Sequence, residues 1–357
     1  MIAIIGAGPS GAHAASILAR HDRVVIFEEH EKVGIPVQCT GITTGYLSSL
    51  IPIKKEFLVN KVLRVRVFSP NGSFVDFNLK NPNLVLDRAA FDRFVVRRAL
   101  DRGAELLTYH NFLRSRHEGG KLVLDFKGKY KKVHADVLVG ADGPFSSVAK
   151  SNSMFGKRSY VVGVQARVNL QVDPDLVEFH LNKDFIGWVV PESSRVARVG
   201  IASCSNSSLF FKQFINKKAG KSKVREYQSG FIPIFNPNVK TQNRNVYLVG
   251  DAATQVKATT YGGIIQGMMA AEELAKACMS NLSYERLWRK RIGKDLWLGL
   301  MIRKKLDTFS NDHYNRLISM VKKDDVKRLI EYYDRDFPSR FVIKLLLKEP
   351  RLLRFLI

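Results

Sequence analysis

Cysteine is scarce in this 357-residue chain. Cys39, Cys204 and Cys278 are the full complement, and no two form a CxxC pair. That spacing excludes a disulfide framework and a cysteine zinc centre, and it fits a reducing cytoplasm. The eight histidines show no metal spacing, since His134 precedes a strand-like run and His180 lies within one, so no metal site is expected. No apolar run reaches the ~18 residues that span a bilayer. The opening IAIIGAGPSGAHAASILA lacks a basic leader, and its glycines punctuate it as strand, turn and helix, against a signal peptide. Ser146 and Ser147 carry no GxSxG frame, which argues against a hydrolase. Helix-turn-helix, zinc-finger and aromatic RNP patterns are missing, so nucleic acid is not an expected partner. Internal repeats and low-complexity linkers are absent as well.

Acidic residues are the other shortage, with 33 Asp and Glu against 57 Lys and Arg for a net charge of +24. Such a field favours nucleic acid, anionic lipid or phosphorylated substrates, and a basic surface would suit an acidic partner protein. A uniformly basic proteome accounts for it equally well. Apolar residues make up 45% of the chain and aromatics 10%, enough to build a real core.

The clearest pattern lies at the start. Ile2 to Ile5 reads as a buried strand, Gly6-Ala7-Gly8-Pro9-Ser10-Gly11 as a turn, and Ala12 to Arg20 as a helix. In such a GxGxxG turn Gly6 allows the tight bend, Gly8 lets the backbone approach a pyrophosphate, and Gly11 permits close helix–strand packing. The helix start offers N–H groups and a positive dipole end to phosphates. A second strand, Arg23 to Phe27, ends at Glu28, whose carboxylate suits ribose hydroxyls; Glu29, one residue further, is the neighbouring alternative. An acid here speaks for an unphosphorylated ribose, as in FAD or NAD.

Later stretches point to FAD. Leu86 to Asp92 reads LDRAAFD and opens a helix running to about Arg102. Val137 to Gly140 is a strand followed by Ala141-Asp142-Gly143, and Val246 to Thr254 reads VYLVGDAAT. Asp251, after the terminal Gly250, is placed to hold a ribityl hydroxyl, and the helix that follows is expected to face the flavin. Read without a ligand, Arg88 is a helix-face ion pair and Asp251 a plain N-cap.

GxGxxG, DRxxFD, GADGxxSxV and VGDAA in this order resemble the FAD-dependent oxidoreductases built like para-hydroxybenzoate hydroxylase. The resemblance implies that Arg88 reaches the flavin pyrophosphate or ribityl region, with Gly143, Gly250 and Asp251 also at the cofactor. Val33 to Gly41, VGIPVQCTG, is similar to the G-x-P-V-x-C-x-G segment of geranylgeranyl reductases, which hydrogenate isoprenoid chains of lipids. Lys257 to Ile264, KATTYGGI, resembles their K-P-T-x-G-G-G-I flavin loop, and Gly187 to Pro191 resembles their Y-x-W-x-F-P strand. On this basis Gln38, Cys39, Gly262, Gly263 and Ile264 join the cofactor set, Cys39 becomes the catalytic candidate, and Trp188, Pro191 and Tyr261 line a substrate pocket. Ala258 departs from the usual proline, Tyr261 from the first of three glycines, and Ile186 and Val190 from Tyr and Phe. A tyrosine at 261 either crowds the flavin or takes a backbone angle that glycine alone adopts freely.

The implied activity is FAD-dependent reduction of carbon–carbon double bonds in a geranylgeranyl or polyprenyl lipid. A free thiol is mostly protonated at neutral pH, so Cys39 is able to serve as proton donor, or else as a gate; its plain alternative is a small buried hydrophobe. Cys204 and Cys278 read as core. The electron donor is left as NAD(P)H or a ferredoxin-like protein. A monooxygenase on the same fold and a non-catalytic flavin- or lipid-binding protein are the rivals; the WxWxIP segment of halogenases does not occur.

The expected fold is mixed α/β. A Rossmann-like FAD-binding domain is assembled from 1–57, 83–150 and 240–282, an antiparallel-sheet substrate domain from 58–82 and 151–239, and a basic helical region from 283–357. Leu282 to Leu306 has helical periodicity. Arg340 to Ile357, RFVIKLLLKEPRLLRFLI, suits either an anionic membrane interface, which would make a cytoplasmic protein peripheral to the membrane, or packing on the protein body.

Overall fold

Ile2–Ile5 forms a strand buried on both faces, as an unbroken aliphatic run requires. The computed structural model describes residues 1–280 and 282–355. It places this strand in a six-stranded sheet ordered Gln242–Asn243, Val246–Leu248, Val137–Gly140, Ile2–Ile5, Val24–Phe27 and Glu105–Leu107. All neighbours run parallel except Gln242–Asn243 against Val246–Leu248. The register aligns Ile5 with both Phe27 and Gly140, and Gly140 with Leu248. Four strands therefore end level, and the turns that follow them emerge side by side. Helix Pro9–Leu18 packs against Arg88–Leu100 and Ile264–Ser280. A three-stranded antiparallel sheet, Asn111–Glu118, Lys121–Lys127 and Lys132–Ala135, adds Phe112 and Phe126 to this core.

These elements belong to one compact unit, Met1–Pro36, Arg88–Ser159 and Pro233–Trp297; a second comprises Val37–Asp87, Tyr160–Ile232 and the described residues from Leu298 onward. The divisions fall after 36, 87, 159, 232 and 297, where the sequence suggested 57, 82, 150, 239 and 282. Residues 37–57 join the second unit because Ile42–Thr43 pairs with Phe74–Leu86 and Phe57 accepts a hydrogen bond from the Asp87 N–H.

The second unit holds an eight-stranded sheet ordered Val224–Pro233, Tyr160–Asn169, Val196–Ser203, Ile186–Ser193, Leu176–Leu181, Leu58–Phe68, Phe74–Leu86 and Ile42–Thr43. The sequence suggested a wholly antiparallel sheet, yet Leu176–Leu181 runs parallel to Leu58–Phe68. These two strands come from distant parts of the chain, so no tight hairpin sets their direction. Helix Ser207–Ala219 covers one face through Phe211 and Phe214 on Ala166, Val168, Val189, Ala197, Val199 and Ile201. On the other face Ile318, Val321 and Ile330, from helices Asn311–Val321 and Asp324–Tyr332, pack on Val65, Val75 and Phe77.

The periodic stretch 282–306 is divided into Tyr284–Trp288, a π turn at Arg289–Gly293, and Lys294–Leu306. At the C-terminus Val342 and Leu352 are buried, Phe341 stacks on Tyr333, and the buried Glu349 pairs with Lys323 and Arg351. The described part of this segment thus packs on the helical residues just before it while leaving Ile343 and Leu347 exposed at 66% and 76%. Leu356 and Ile357, the end of the basic apolar stretch, lie outside the described residues, as does Asn281. No helix among the described residues is long and apolar enough to cross a membrane. Two cysteines depart from expectation: Cys204 is exposed just past the end of Val196–Ser203, and Cys278 is half-buried, its thiol pushed up to about 11 by desolvation.

Candidate functional site

Because the four strands end level, Gly6, Glu28, Ala141 and Val249–Gly250 stand along one carboxyl edge of the parallel sheet. Ligands of open α/β sheets bind at this edge. Gly6 turns at φ +102, and a β-carbon there would lie 2.4 Å from the Ala141 carbonyl oxygen. One on Gly11 would lie 2.3 Å from the Gly6 oxygen, so Gly11 secures the helix against the turn. Gly8 and Gly143, the latter at φ +75, differ in kind: nothing lies within 4 Å of where their β-carbons would be. Both bare backbones border open space, as a close-lying pyrophosphate requires. Gly8 caps helix Pro9–Leu18 without a side-chain hydrogen bond, so no side chain of the cap competes for its first-turn N–H groups.

Glu28 is held in place rather than free. Its Oε2 accepts from the Ala7 N–H at 2.9 Å and its Oε1 from the His30 N–H at 3.0 Å. Glu29 is exposed and accepts from Asn111 Nδ2, so of the two acids Glu28 is the one tied to the glycine turn. Within GADG, Asp142 is occupied internally, accepting from Ser146 Oγ at 2.6 Å and the Val148 N–H at 3.0 Å.

Arg88 donates to both Asp92 oxygens, at 3.2 and 3.0 Å, and both side chains are largely buried. Helix spacing explains the pair, since residues four apart share a face. The Arg88 charge also reaches Asp251. Burial pushes the Asp251 carboxyl up to about 6, while Arg88 and Arg158 draw it down. The sequence offered Asp251 as an N-cap, but the residue preceding this turn is Val249, and the Gly250 N–H donates instead to Gln255 Oε1 at 2.8 Å. VGDAA also leads into a single 3-10 turn, Gly250–Ala253, rather than directly into a helix; the helix begins at Ile264.

Arg158 went unnoticed in the sequence. It donates to the carbonyls of Pro144 and Ala252, at 3.2 and 2.8 Å, tying the Gly143 loop to the Asp251 turn. Nothing local in GKRSY signals this, because its partners are far away in sequence. Between the 3-10 turn and the helix, the Lys257 N–H donates to the Gly262 oxygen and the Tyr261 N–H to the Lys257 oxygen, closing the loop on itself. Tyr261 sits at φ +57, a left-handed backbone angle that glycine adopts most freely.

The second unit carries Gln38 and Cys39. Gly230 lies against Gln38, a β-carbon there standing 2.8 Å from the Gln38 oxygen. Cys39 is half-buried, and its Sγ accepts from the Gly41 N–H at 3.3 Å. Buried Gln165 donates to the Cys39 oxygen at 3.4 Å and accepts from Thr40 Oγ1 at 2.9 Å and Trp188 Nε1 at 3.1 Å. Arg198 donates to the Thr40 and Leu86 oxygens and, through Nε, to Glu192 at 2.7 Å, while Glu192 also holds Arg167. Gly200 makes room for the Trp188 ring, since a β-carbon would meet it at 2.6 Å. None of Gln165, Arg198 and Glu192 was singled out from sequence, although an amide in the middle of the strand-like YVVGVQARVN is a visible signal.

Trp188 and Pro191 do not share a pocket wall. The ladder from Trp188↔Gly200 to Pro191↔Ala197 is regular, and side chains alternate along it. Trp188 and Val190 face the Val62–Val85 cluster; Pro191 takes the face of Val189 and Ala197.

No family model matches the chain. Curated relatives do. It is 28% identical over 362 aligned residues to a digeranylgeranylglycerophospholipid reductase of Methanothrix thermoacetophila, covering 92% of this chain and 93% of the relative. It is 29% identical over 376 to digeranylgeranylglycerophospholipid reductase 2 of Methanothermobacter thermautotrophicus, covering 95% and 97%. Among solved structures, a geranylgeranyl bacteriochlorophyll reductase-like protein of Thermoplasma acidophilum matches with a TM-score of 0.85 at 23% identity over 99% of this chain and 98% of that one. The flavin-dependent brominase Bmp2 matches with a TM-score of 0.71 at 15% identity, over 98% and 99%. The chain has the fold of these two proteins, one of them a flavin-dependent brominase, and the two curated relatives are named as reductases.

Proposed function

We propose that this chain is an FAD-dependent reductase of the geranylgeranyl type, saturating carbon–carbon double bonds of a polyprenyl glycerolipid. The observation that carries the reading is the level edge of the parallel sheet, where the open backbones of Gly8 and Gly143 stand with Glu28, Gly250 and Asp251. There Glu28 accepts the ribose hydroxyls, the Gly8–Gly11 turn takes the pyrophosphate with Arg88 close by, and Asp251 holds the ribityl chain. Gly262 and Gly263 close the loop, and Ile264 opens the helix, that would face the ring system.

When bound, reduced FAD supplies hydride to one alkene carbon. An isolated trisubstituted alkene is a poor hydride acceptor, so a proton must reach the other carbon in the same step. Cys39 provides it: its S–H bond breaks as the new C–H bond forms, and water reprotonates the sulfur. The Gly41 N–H, donating to Sγ at 3.3 Å, holds the sulfur in place. Trp188 offers an apolar wall to the prenyl chain. The cationic surface suits phosphate on the lipid, an anionic membrane face for peripheral contact in the cytoplasm, and an acidic electron donor such as a ferredoxin-like protein, with NAD(P)H as the other source.

The test is anaerobic reduction of the bound flavin, then mass analysis of geranylgeranyl glycerophospholipids for gains of two hydrogens per double bond. Substrate-dependent oxygen uptake with a hydroxylated product overturns the reductase reading in favour of a monooxygenase. A purified protein that neither carries nor takes up flavin overturns it in favour of a binding role.

A further inference from the structure

We propose that Gln165 is a positioning residue that sets the Cys39 thiol by tethering residues 39 and 40 to the Trp188 strand. The inference rests on the role given to Cys39 above, but its geometry stands apart from that role. Gln165 projects from strand Tyr160–Asn169 and is only 3% exposed. Its amide has two acceptor and two donor positions, and all are used. Oε1 accepts from Thr40 Oγ1 and Trp188 Nε1; Nε2 donates to the Cys39 oxygen and, at 2.6 Å, to Gln228 Oε1. An indole N–H only donates, so Trp188 dictates which end of the amide is oxygen. The donor end is thereby aimed at Cys39.

The tether is placed to matter for the sulfur. Cys39 is held through its carbonyl by Gln165 and through its Sγ by the Gly41 N–H, with Arg198 binding the Thr40 oxygen between them. Removing the Gln165 donor releases residue 39 at one end. A buried amide that links three other segments of the unit does more than fill space: it couples the indole to residues 39 and 40, in the loop before Ile42–Thr43.

Gln165→Glu is nearly isosteric. It keeps the acceptors for Trp188 and Thr40 but sets a carboxylate against the Cys39 and Gln228 oxygens. Gln165→Leu removes all four bonds. Gln228→Leu is the control, taking away only the bond that does not reach residue 39. Iodoacetamide labelling of the flavin-loaded protein, followed by peptide mass mapping, reads Cys39 apart from Cys204 and Cys278. In Gln165→Glu and Gln165→Leu, Cys39 labels about tenfold faster, and kcat for alkene reduction falls about tenfold with KM and flavin absorbance nearly unchanged, the scale of one or two lost hydrogen bonds. Gln228→Leu leaves the labelling rate near that of the wild type. A role in stability alone would lower the unfolding temperature and leave labelling of the folded protein alone. Cys39 labelling unchanged in both Gln165 variants overturns the proposal. If Gln165→Leu fails to fold, Gln165→Glu carries the test. Full reduction by Cys39→Ala would sink the proton-donor role without touching the tether, which labelling reads independently.

Discussion

Ser10 and Gly250 are in direct contact. A β-carbon on Gly250 would stand 2.6 Å from the Ser10 Oγ, and one on Gly267 only 2.2 Å from the same atom. Two turns separated by more than two hundred residues in sequence, and the helix beyond, are thus fitted around one hydroxyl. Gly250 has a second constraint, its φ of +68, which the helical Gly267 lacks.

The two glycines should therefore respond differently to relief. Gly267→Ala destabilises by about 1–3 kcal/mol through overpacking. Adding Ser10→Ala restores most of that loss, because the closest offending atom is the hydroxyl oxygen. Gly250→Ala is rescued less, since a left-handed backbone costs an L side chain about 1–2 kcal/mol whatever its neighbours. Thermal unfolding of the single and double variants forms the cycle; equal rescue at both sites would show that φ contributes nothing.

Asp251 makes stability depend on pH. Its carboxyl is raised from an ordinary 3.8 to about 6 by burial, so between those values the folded protein holds more protons than the unfolded one. Stability of the flavin-free protein then falls as pH rises through that window, by up to about 3 kcal/mol and less where solvent screens the group. Asp251→Asn should flatten this slope and raise stability at pH 7, while weakening flavin binding about tenfold or more. Denaturant unfolding at pH 4.5 and 7 checks the first part. A slope unchanged by the substitution means the carboxyl titrates as an exposed one.

Tyr261 sits at φ +57 in the loop before helix Ile264–Ser280. Tyr261→Gly should cost less than about 1 kcal/mol or stabilise, because lost contacts are offset by relief of strain. Tyr261→Val should cost more than about 1 kcal/mol, since a branched β-carbon is least tolerated in this region. Unfolding temperatures that rank valine above glycine would contradict the strain argument.

Arg198 is buried against Glu192 and two carbonyls. Arg198→Leu should cost about 3–5 kcal/mol, because Glu192 loses a buried partner and the Thr40 and Leu86 oxygens lose their donor. Arg198→Lys should recover only part of this, since a single ammonium cannot reproduce the fork. Partners hold the Glu192 carboxyl below its usual range, so its contribution is present above that range and is lost as pH falls through the lowered value. Chemical denaturation of the two variants, with the wild type at acid pH alongside, decides the matter.

The parts legible in sequence were local. Gly6, Gly8 and Gly11 announce a turn because each acts on its own neighbours, and Glu28 follows one strand later. Arg88 and Asp92 were four apart on a helix, so their pairing was readable as well. Gln165 and Arg158 were not, because the partners that give them their roles, Cys39 and Ala252, lie 126 and 94 residues away. The opposite faces of Trp188 and Pro191 were readable too, since their odd spacing fixes the parity along a strand, but a motif read as a unit hides it. The left-handed Thr254 that ends the VGDAA turn had no local signal at all, being β-branched.

Val246–Leu248 pairs with Val137–Gly140, a partner made more than a hundred residues earlier. During synthesis the central strands can assemble as soon as residue 140 emerges, leaving Val137–Gly140 as a bare edge of an apolar sheet. That edge stays open until the ribosome has added another hundred residues, and the Gly250 turn follows it. The carboxyl edge of the sheet is therefore completed late, and the interval in which the nascent chain is most prone to aggregate is set by the length of the inserted second unit.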